Sequence, residues 1–323
     1  TRFSFLTLDE AEQALAPVLS GEDTPAAAPS TLTAPEMPSA LAPVACGTRG
    51  TEAFCFERVV FNYPEGPAVL HEVELAVPAG QFVALVGANG SGKTTLAKQV
   101  IGLLRPGGGR VRVQGRDAAQ LSVGQLAQQV GYLFQHPERQ IFASTVWDEV
   151  AFGPQNLGLE RAAIEERVAA ALARFGLSDL AAAPPAVMSY ALRRLVTLAS
   201  VAAMEPAILV LDEPTVGLDA PGRAATLDWV HELHAGGRTI LLVTHDMAAA
   251  AQAERMVVLE AGRVVADDRP AGIFRRPELM EQAALEAPPV ALLAARLGLP
   301  AEVSEVGAMV RILRERVDFA GMD

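Results

Sequence analysis

An apolar run of five residues, Phe82-Val83-Ala84-Leu85-Val86, passes directly into Gly87-Ala88-Asn89-Gly90-Ser91-Gly92-Lys93-Thr94 and then into helical spacing. Nothing else in the chain narrows its fold as far. The eight residues fit G-x-x-x-x-G-K-[ST] in the required setting, after a strand and at the start of a helix. Glycines let the main chain curl until successive N–H groups face one anion. The helix N-terminus adds about half a positive charge. Lys93 is placed to reach β- and γ-phosphates, and the Thr94 hydroxyl suits Mg²⁺. Gly87, Asn89, Gly90, Ser91, Gly92, Lys93, Thr94 and Thr95 are therefore the expected nucleotide-binding residues. Composition sharpens this: of 26 basic residues only Lys93 and Lys98 are lysines, and one stands where the motif needs it. The loop alone leaves kinases, GTPases, helicases and transport ATPases open.

The remaining pattern predicts an α/β fold with a parallel sheet at its centre. Strands are expected at Phe54 to Tyr63, Val73 to Val77, Arg110 to Val113 and Val130 to Phe134. The first helix is expected from Lys93 to Leu104, and residues 140 to 205 read as mostly helical. Ile208 to Leu211 and Thr239 to Val243 are short apolar runs of the kind buried on both sheet faces. Met256 to Leu259 and Arg263 to Ala266 flank Ala261-Gly262 as a hairpin. Ligands in such sheets sit at the carboxyl ends of strands. Asp212, ending one strand, is placed to hold Mg²⁺, and Glu213 to orient the attacking water. His245, ending the next, is placed to contact a γ-phosphate.

Net charge of −12 argues against a nucleic-acid coat, which needs a basic surface. Mean hydropathy is high at +0.25. Yet the most apolar stretches, such as Val196 to Met204, fall short of the roughly 20 residues a bilayer requires. Two cysteines, Cys46 and Cys55, cannot build a disulfide framework or a four-ligand zinc site. Trp147 and Trp229 read as packing residues. His231 and His234, three apart, share a helix face and read as a solvated helix end. Residues 22–51, rich in Ala, Pro, Ser and Thr, read as a disordered linker. Ahead of it, residues 1–21 hold a short helix with Thr7 as N-cap and Glu10 three residues later.

From about Phe54 to Phe274 the order of motifs resembles the ATPase subunit of an ABC transporter. The resemblance rests on the phosphate loop, Gln135 (the family's Q-loop), Asp212-Glu213, Pro214-Thr215-Val216-Gly217-Leu218-Asp219 (the D-loop) and the switch histidine His245. Tyr63 matches the aromatic that stacks on adenine, a contact worth about 1–3 kcal/mol. More narrowly the chain resembles the energy-coupling factor and cobalt/nickel import branch. The pointers are Gln135-His136-Pro137-Glu138-Arg139-Gln140, the run Val146 to Leu157, and a helical tail from Ala287. The resemblance implies a RecA-like parallel core with an antiparallel β subdomain over 52–275, a helical subdomain at about 136–205, and a helical tail over 276–323. It implies ATP and Mg²⁺ as ligands, with Thr94, Gln135 and Asp212 at the metal. It implies catalytic roles for Glu213, His245 and Gln135, and nucleotide contacts from Ser189 and Asp219. The implied partners are a second ABC ATPase subunit or half, a transmembrane coupling protein and a substrate-binding membrane protein, with no nucleic acid. The implied place is the cytoplasmic face of the membrane.

One motif departs from the family. Its L-S-G-G-Q signature falls on Met188-Ser189-Tyr190-Ala191-Leu192, so Ser189 remains while both glycines and the Gln are gone. Tyr190 puts a phenol where backbone should approach phosphate, and any φ > 0 requirement would strain Tyr or Ala. Family sites are composite, each phosphate loop facing the other subunit's signature. The expectation is an asymmetric heterodimer: one site, with this chain's loop and the partner's signature, hydrolyses, and the other turns over poorly. Phe5 to Val18 resembles the last helix of the family's tail, which would make the chain the second half of a fused tandem. A nearly inactive regulatory ATP-binding subunit and a soluble ABC-type ATPase are the alternatives.

Overall fold

The computed structural model describes residues 52–297 together with 309, 310 and 312. The expected helix near the start, the linker, Cys46 and much of the tail lie outside the described residues. In chain order the elements are β1 (Glu52–Asn62), β2 (Ala68–Pro78), β3 (Phe82–Val86), α1 (Lys93–Val100), β4 (Gly108–Val113), β5 (Arg116–Asp117), α2 (Val123–Ala127) and β6 (Val130–Leu133). Three longer helices follow: α3 (Val146–Asn156), α4 (Arg161–Arg174) and α5 (Tyr190–Met204). Then come β7 (Ile208–Asp212), α6 (Ala220–Ala235), β8 (Thr239–Val243), α7 (Met247–Ala250), β9 (Arg255–Glu260), β10 (Arg263–Asp268), α8 (Pro270–Phe274), α9 (Pro277–Gln282) and α10 (Pro289–Arg296).

The strands form two sheets. One is antiparallel, in the order β2-β1-β4-β5; the other runs β10-β9-β3-β8-β7-β6. In the second, β9, β3, β8, β7 and β6 are mutually parallel, and β10 closes one edge as an antiparallel hairpin with β9. The apolar runs seen in the sequence are unbroken because both faces of this sheet are covered. Phe82, Ala84 and Val86 of β3 face one core with Leu209, Leu211, Ile240 and Leu242 and the long helices. Val83 and Leu85 face a second core with Ile208, Val210, Leu241 and Val243, between α1 and the antiparallel sheet. Each of these Val, Leu, Ile and Phe side chains contributes about 1.5–3 kcal/mol by leaving water.

Some boundaries differ from expectation. Helix α1 stops at Val100 rather than reaching Leu104, because Gly102 turns into the left-handed region (φ 72°). The N–H groups of Leu103 and Leu104 then bend back to the Lys98 carbonyl. β2 starts at Ala68, five residues before the expected Val73, paired along β1. His231 is exposed, as expected of a solvated helix end, and His234 is half-buried. Both rings pack 5.8 Å from the ring of Phe82. His231 Nε2 also lies 2.7 Å from Gln252 Oε1, and His234 lies 3.3 Å from Glu254. Trp229 is buried edge-on to Phe175. Among the described residues no helix is long and apolar enough to cross a membrane, and no group of three or more His, Cys, Asp or Glu side chains is placed to hold a metal.

Candidate functional site

The loop after β3, the start of α1 and the carboxyl end of β7 line a cavity of about 350 Å³, and His245, after β8, is not among its lining residues. Asn89, Gly90, Gly92, Lys93, Thr94 and Thr95 line it from the loop and helix, Tyr63 and Gln135 from flanking segments, and Asp212 and Glu213 from the end of β7. Gly87 lies beneath, with φ 149°, and a Cβ there would come 2.0 Å from the Leu259 carbonyl oxygen. Glycine is thus needed for the loop to pass over β9. Lys93 is buried, its Nζ donating to the carbonyls of Gly87 (2.8 Å) and Ala88 (2.9 Å). Burial lowers its pKa, opposed by the negative charges of Glu213 and Asp212. Ser91 Oγ is buried and finds no hydrogen-bond partner among the described residues. A buried hydroxyl without a partner is costly, and a phosphate oxygen in this loop would supply one.

Asp212 is almost fully buried and serves two donors. Thr94 Oγ1 donates to Oδ1 and the Tyr132 phenol to Oδ2, each at 3.2 Å. Burial pushes the carboxyl above its ordinary range, and those two hydrogen bonds pull it back in part. Hydroxyl and carboxylate oxygens are the hard donors Mg²⁺ takes.

Glu213 sits in left-handed backbone (φ 52°). Its N–H donates to the Val243 carbonyl at 2.8 Å. Its Oε1 accepts the His245 N–H (3.0 Å) and lies 2.7 Å from His245 Nδ1, and Oε2 accepts from Thr244 Oγ1 (3.2 Å). The carboxylate is buried while the His245 side chain is 61% exposed. The chain thus presents an oriented carboxylate beside phosphate-binding main chain, with a solvent-facing imidazole at its edge.

Tyr63 is 40% exposed; its ring meets Phe61 edge-on and its hydroxyl lies 3.1 Å from Thr95 Oγ1. Ser189 and Asp219 stand outside this cavity, each capping a helix. Ser189 Oγ accepts from Leu192 N–H at the start of α5, and Asp219 Oδ1 from Gly222 N–H at the start of α6. The strain expected at Tyr190 and Ala191 does not arise. They are the first two residues of α5 and neither has positive φ. Val69, Tyr132 and Thr244 were missed as site residues. Tyr132 had a signal, a lone hydroxyl in the otherwise apolar run from Val130 to Phe134.

Comparison with known proteins places this geometry. Residues 70–216 match the ABC transporter family. A putative ABC transporter ATP-binding protein of Methanosarcina acetivorans is 40% identical over 244 residues, 75% of this chain; the chain spans only 39% of that relative's length. The energy-coupling factor transporter ATP-binding protein EcfA1 of Halalkalibacterium halodurans is 39% identical over 234 residues, 72% of this chain and 84% of the relative. Among solved structures, cbiO1 of Clostridium perfringens, described as part of the ABC transporter complex cbiONQ, superposes with a TM-score of 0.63. It is 30% identical, over 76% of this chain and 99% of that one.

Proposed function

The chain belongs to the ABC transporter ATP-binding family, and from that premise we propose that it hydrolyses Mg-ATP to energise import through a membrane complex, as one half of an asymmetric ATPase pair. The observation that carries this is Glu213, buried and held by Thr244 and His245 at a cavity lined by the phosphate loop. The phosphate-loop N–H groups and Lys93 hold the β- and γ-phosphates, and Tyr63 offers a ring to the adenine. Glu213 accepts a hydrogen bond from a water and turns its oxygen toward the γ-phosphorus. The water oxygen bonds to the γ-phosphorus as the bond from the γ-phosphorus to the β–γ bridging oxygen breaks, ADP leaving with that oxygen and the water's proton passing by way of Glu213 to the phosphate or solvent. His245 holds Glu213 and faces the transferring group. Thr94, Asp212 and Gln135 would hold Mg²⁺, which when bound neutralises charge on the phosphates.

Met188 to Leu192 supports asymmetry. Without glycines the start of α5 offers fewer preorganised donors to a partner's nucleotide, and losing such a donor typically costs about 10²–10³ in rate. The competent site pairs this chain's cavity with the signature of a second ABC ATPase, separate or a half of the same longer protein.

An exposed aromatic pair supports a membrane partner. Phe142 (63% exposed) and Phe152 (46%) meet edge-on with ring centroids 4.6 Å apart. The buried Glu149 carboxylate fixes this ledge by accepting the N–H groups of Phe142 and Ala143. Gln140, two residues before Phe142, reaches the Phe134 N–H and the Thr197 carbonyl. A transmembrane coupling protein seated on the ledge would therefore pull directly on the segment carrying Gln135. Relatives named for energy-coupling factor transporters and the cbiONQ complex support a transport role; the family resemblance adds uptake of a vitamin or transition-metal ion, chosen by a substrate-binding membrane protein, with this chain on the cytoplasmic face.

The test is light scattering of the Glu213→Gln protein with and without Mg-ATP, alone and mixed with the second ATPase. A monomer that binds ATP alone and pairs only with the second ATPase is expected. An ATP-driven homodimer refutes the asymmetry, and failure to bind ATP refutes the whole reading.

A further inference from the structure

Arg194 heads the fully buried side chains by volume, with 0% exposure. It faces main-chain carbonyls. Nη1 donates to Phe134 O (2.5 Å), Nε to Pro214 O (3.3 Å), and Nη2 to Asp212 O (3.2 Å) and to Glu213 O. These carbonyls lie on two segments far apart in sequence. Phe134 precedes Gln135, and residues 212 to 214 carry both acids of the site. One turn earlier on α5 the Tyr190 phenol donates to the Gln135 carbonyl at 3.4 Å. The Tyr190 ring lies over Gly217, where a Cβ would fall 2.4 Å from its Cε1. Residues four apart on a helix stack on one face. Tyr190 and Arg194 therefore take consecutive carbonyls of the Gln135 segment on one side and the 212–217 segment on the other.

Taking a cation out of water is expensive, and packing alone at this depth would favour an apolar residue. What a guanidinium adds is a rigid planar fork with five donors, able to hold two segments in register at once. The segment it holds needs holding. Glu213 has left-handed backbone, uncommon for a residue with a side chain. Its N–H is fixed by Val243, its carboxylate by Thr244 and His245, and its carbonyl by Arg194.

We infer that Arg194, braced by Tyr190, is a positioning residue: from the helix of the altered signature it fixes the main chain carrying Gln135 and Glu213 for hydrolysis in this subunit's own site. The inference rests on the ATPase reading above. The helix that elsewhere would serve the partner's nucleotide is thereby tied to its own subunit's water-orienting carboxylate.

The test uses the full chain assembled with its second ATPase and membrane partners, with ATP affinity from a fluorescent ATP analogue and rates from single-turnover hydrolysis. Arg194→Lys keeps the charge but loses the fork. A fall in kcat of about 10²-fold, the effect of a ~1 Å misplacement, is expected, with ATP affinity changed less than about threefold. Tyr190→Phe, which keeps the ring and the fold, is expected to lower kcat about three- to tenfold with affinity unchanged, as for one neutral hydrogen bond. Equal losses of kcat and affinity in Arg194→Lys, or wild-type kcat in Tyr190→Phe, overturn the inference. The second result decides the matter should Arg194→Lys fail to fold. A wild-type assembly that binds ATP without hydrolysing it refutes the functional reading itself, and the inference with it.

Discussion

Replacing Tyr132 by Phe removes one oxygen atom from a buried site and nothing else. The phenol donates to Asp212 Oδ2 at 3.2 Å, and both residues are at most 5% exposed. Burial and the neighbouring carboxylate push the phenol's pKa up, so it remains a donor throughout the accessible pH range. A hydrogen bond to a charged group contributes about 1.5–3 kcal/mol, and a buried acceptor left without its donor bears the full desolvation cost. Loss of about 1.5–3 kcal/mol is therefore expected in urea unfolding with chelator present, with the melting midpoint falling about 2–4 °C per kcal/mol. Partners of metal ligands typically govern 10–100-fold in metal affinity, so Mg²⁺ should also be required at about that much higher concentration to support ATP binding. The clean control is Asp212→Asn. A neutral acceptor weakens the bond to about 0.5–1.5 kcal/mol, so Tyr132→Phe should cost about 1 kcal/mol less in that background. An equal penalty in the wild-type and Asp212→Asn backgrounds would mean the hydroxyl acts elsewhere, and the argument would fail.

Three further outcomes follow from the geometry. Burial raises the Asp212 carboxyl above its ordinary 3.8, so the folded chain holds that proton more tightly than the unfolded chain. The resulting stability is present below about pH 4 and is lost as pH rises through the folded value. In metal-free urea titrations Asp212→Asn should remove this slope; an unchanged slope excludes Asp212 as its source. Phe142→Ser with Phe152→Ser should leave ATP affinity and melting within about 0.5 kcal/mol, as for surface changes, while co-purification with the membrane partners is lost; retained assembly rejects the ledge. Gly87→Ala would drive a Cβ to 2.0 Å from Leu259 O, so β3 and β9 must part. At least the 1–3 kcal/mol or so of overpacking is expected, together with loss of ATP-analogue fluorescence, and normal binding would show the loop to be more pliant than its contacts imply.

The sheet was readable in the sequence because each central strand is an unbroken apolar run: Phe82 to Val86, Ile208 to Leu211 and Thr239 to Val243 have no polar face to hide. The phosphate loop was readable because its requirements are local: a strand, a turn only glycine can make, and a helix start. The ligands of Asp212 and Glu213 were less so. Thr94 and Asp212 are 118 residues apart, and Tyr132 and Asp212 are 80 apart; only the parallel order β3-β8-β7-β6 brings such residues together. Arg194 was the hardest. In sequence it is one of two adjacent arginines beside the altered signature, and nothing there singles it out. In the fold Arg193 takes an exposed ion pair with Glu138, while Arg194, one position on, turns inward. A helix rotates each residue by about 100°, so adjacent arginines meet opposite environments. Which one is buried depends on the face α5 gives to β7, and that is set by tertiary packing.

The two functions of α5 separate along the same helix. Its tip, Ser189 with Tyr190 and Ala191, is what a partner's nucleotide would meet, and there the glycines are absent. Its second turn, Arg194, grips the main chain around this subunit's own acids. On the proposed reading, hydrolysis in the cavity of this chain draws on the second turn, braced by the Tyr190 side chain, and on the partner's tip; the missing glycines would serve only the other site. Loss of the glycines therefore leaves Glu213 and His245 fully supported where they stand. A subunit inactive at both sites would have no use for a buried guanidinium, since removing that charge together with Glu213's constraints would relieve a desolvation cost. The cost is borne in the turn that serves hydrolysis here, which favours one working site of two over an ATP-binding subunit with none.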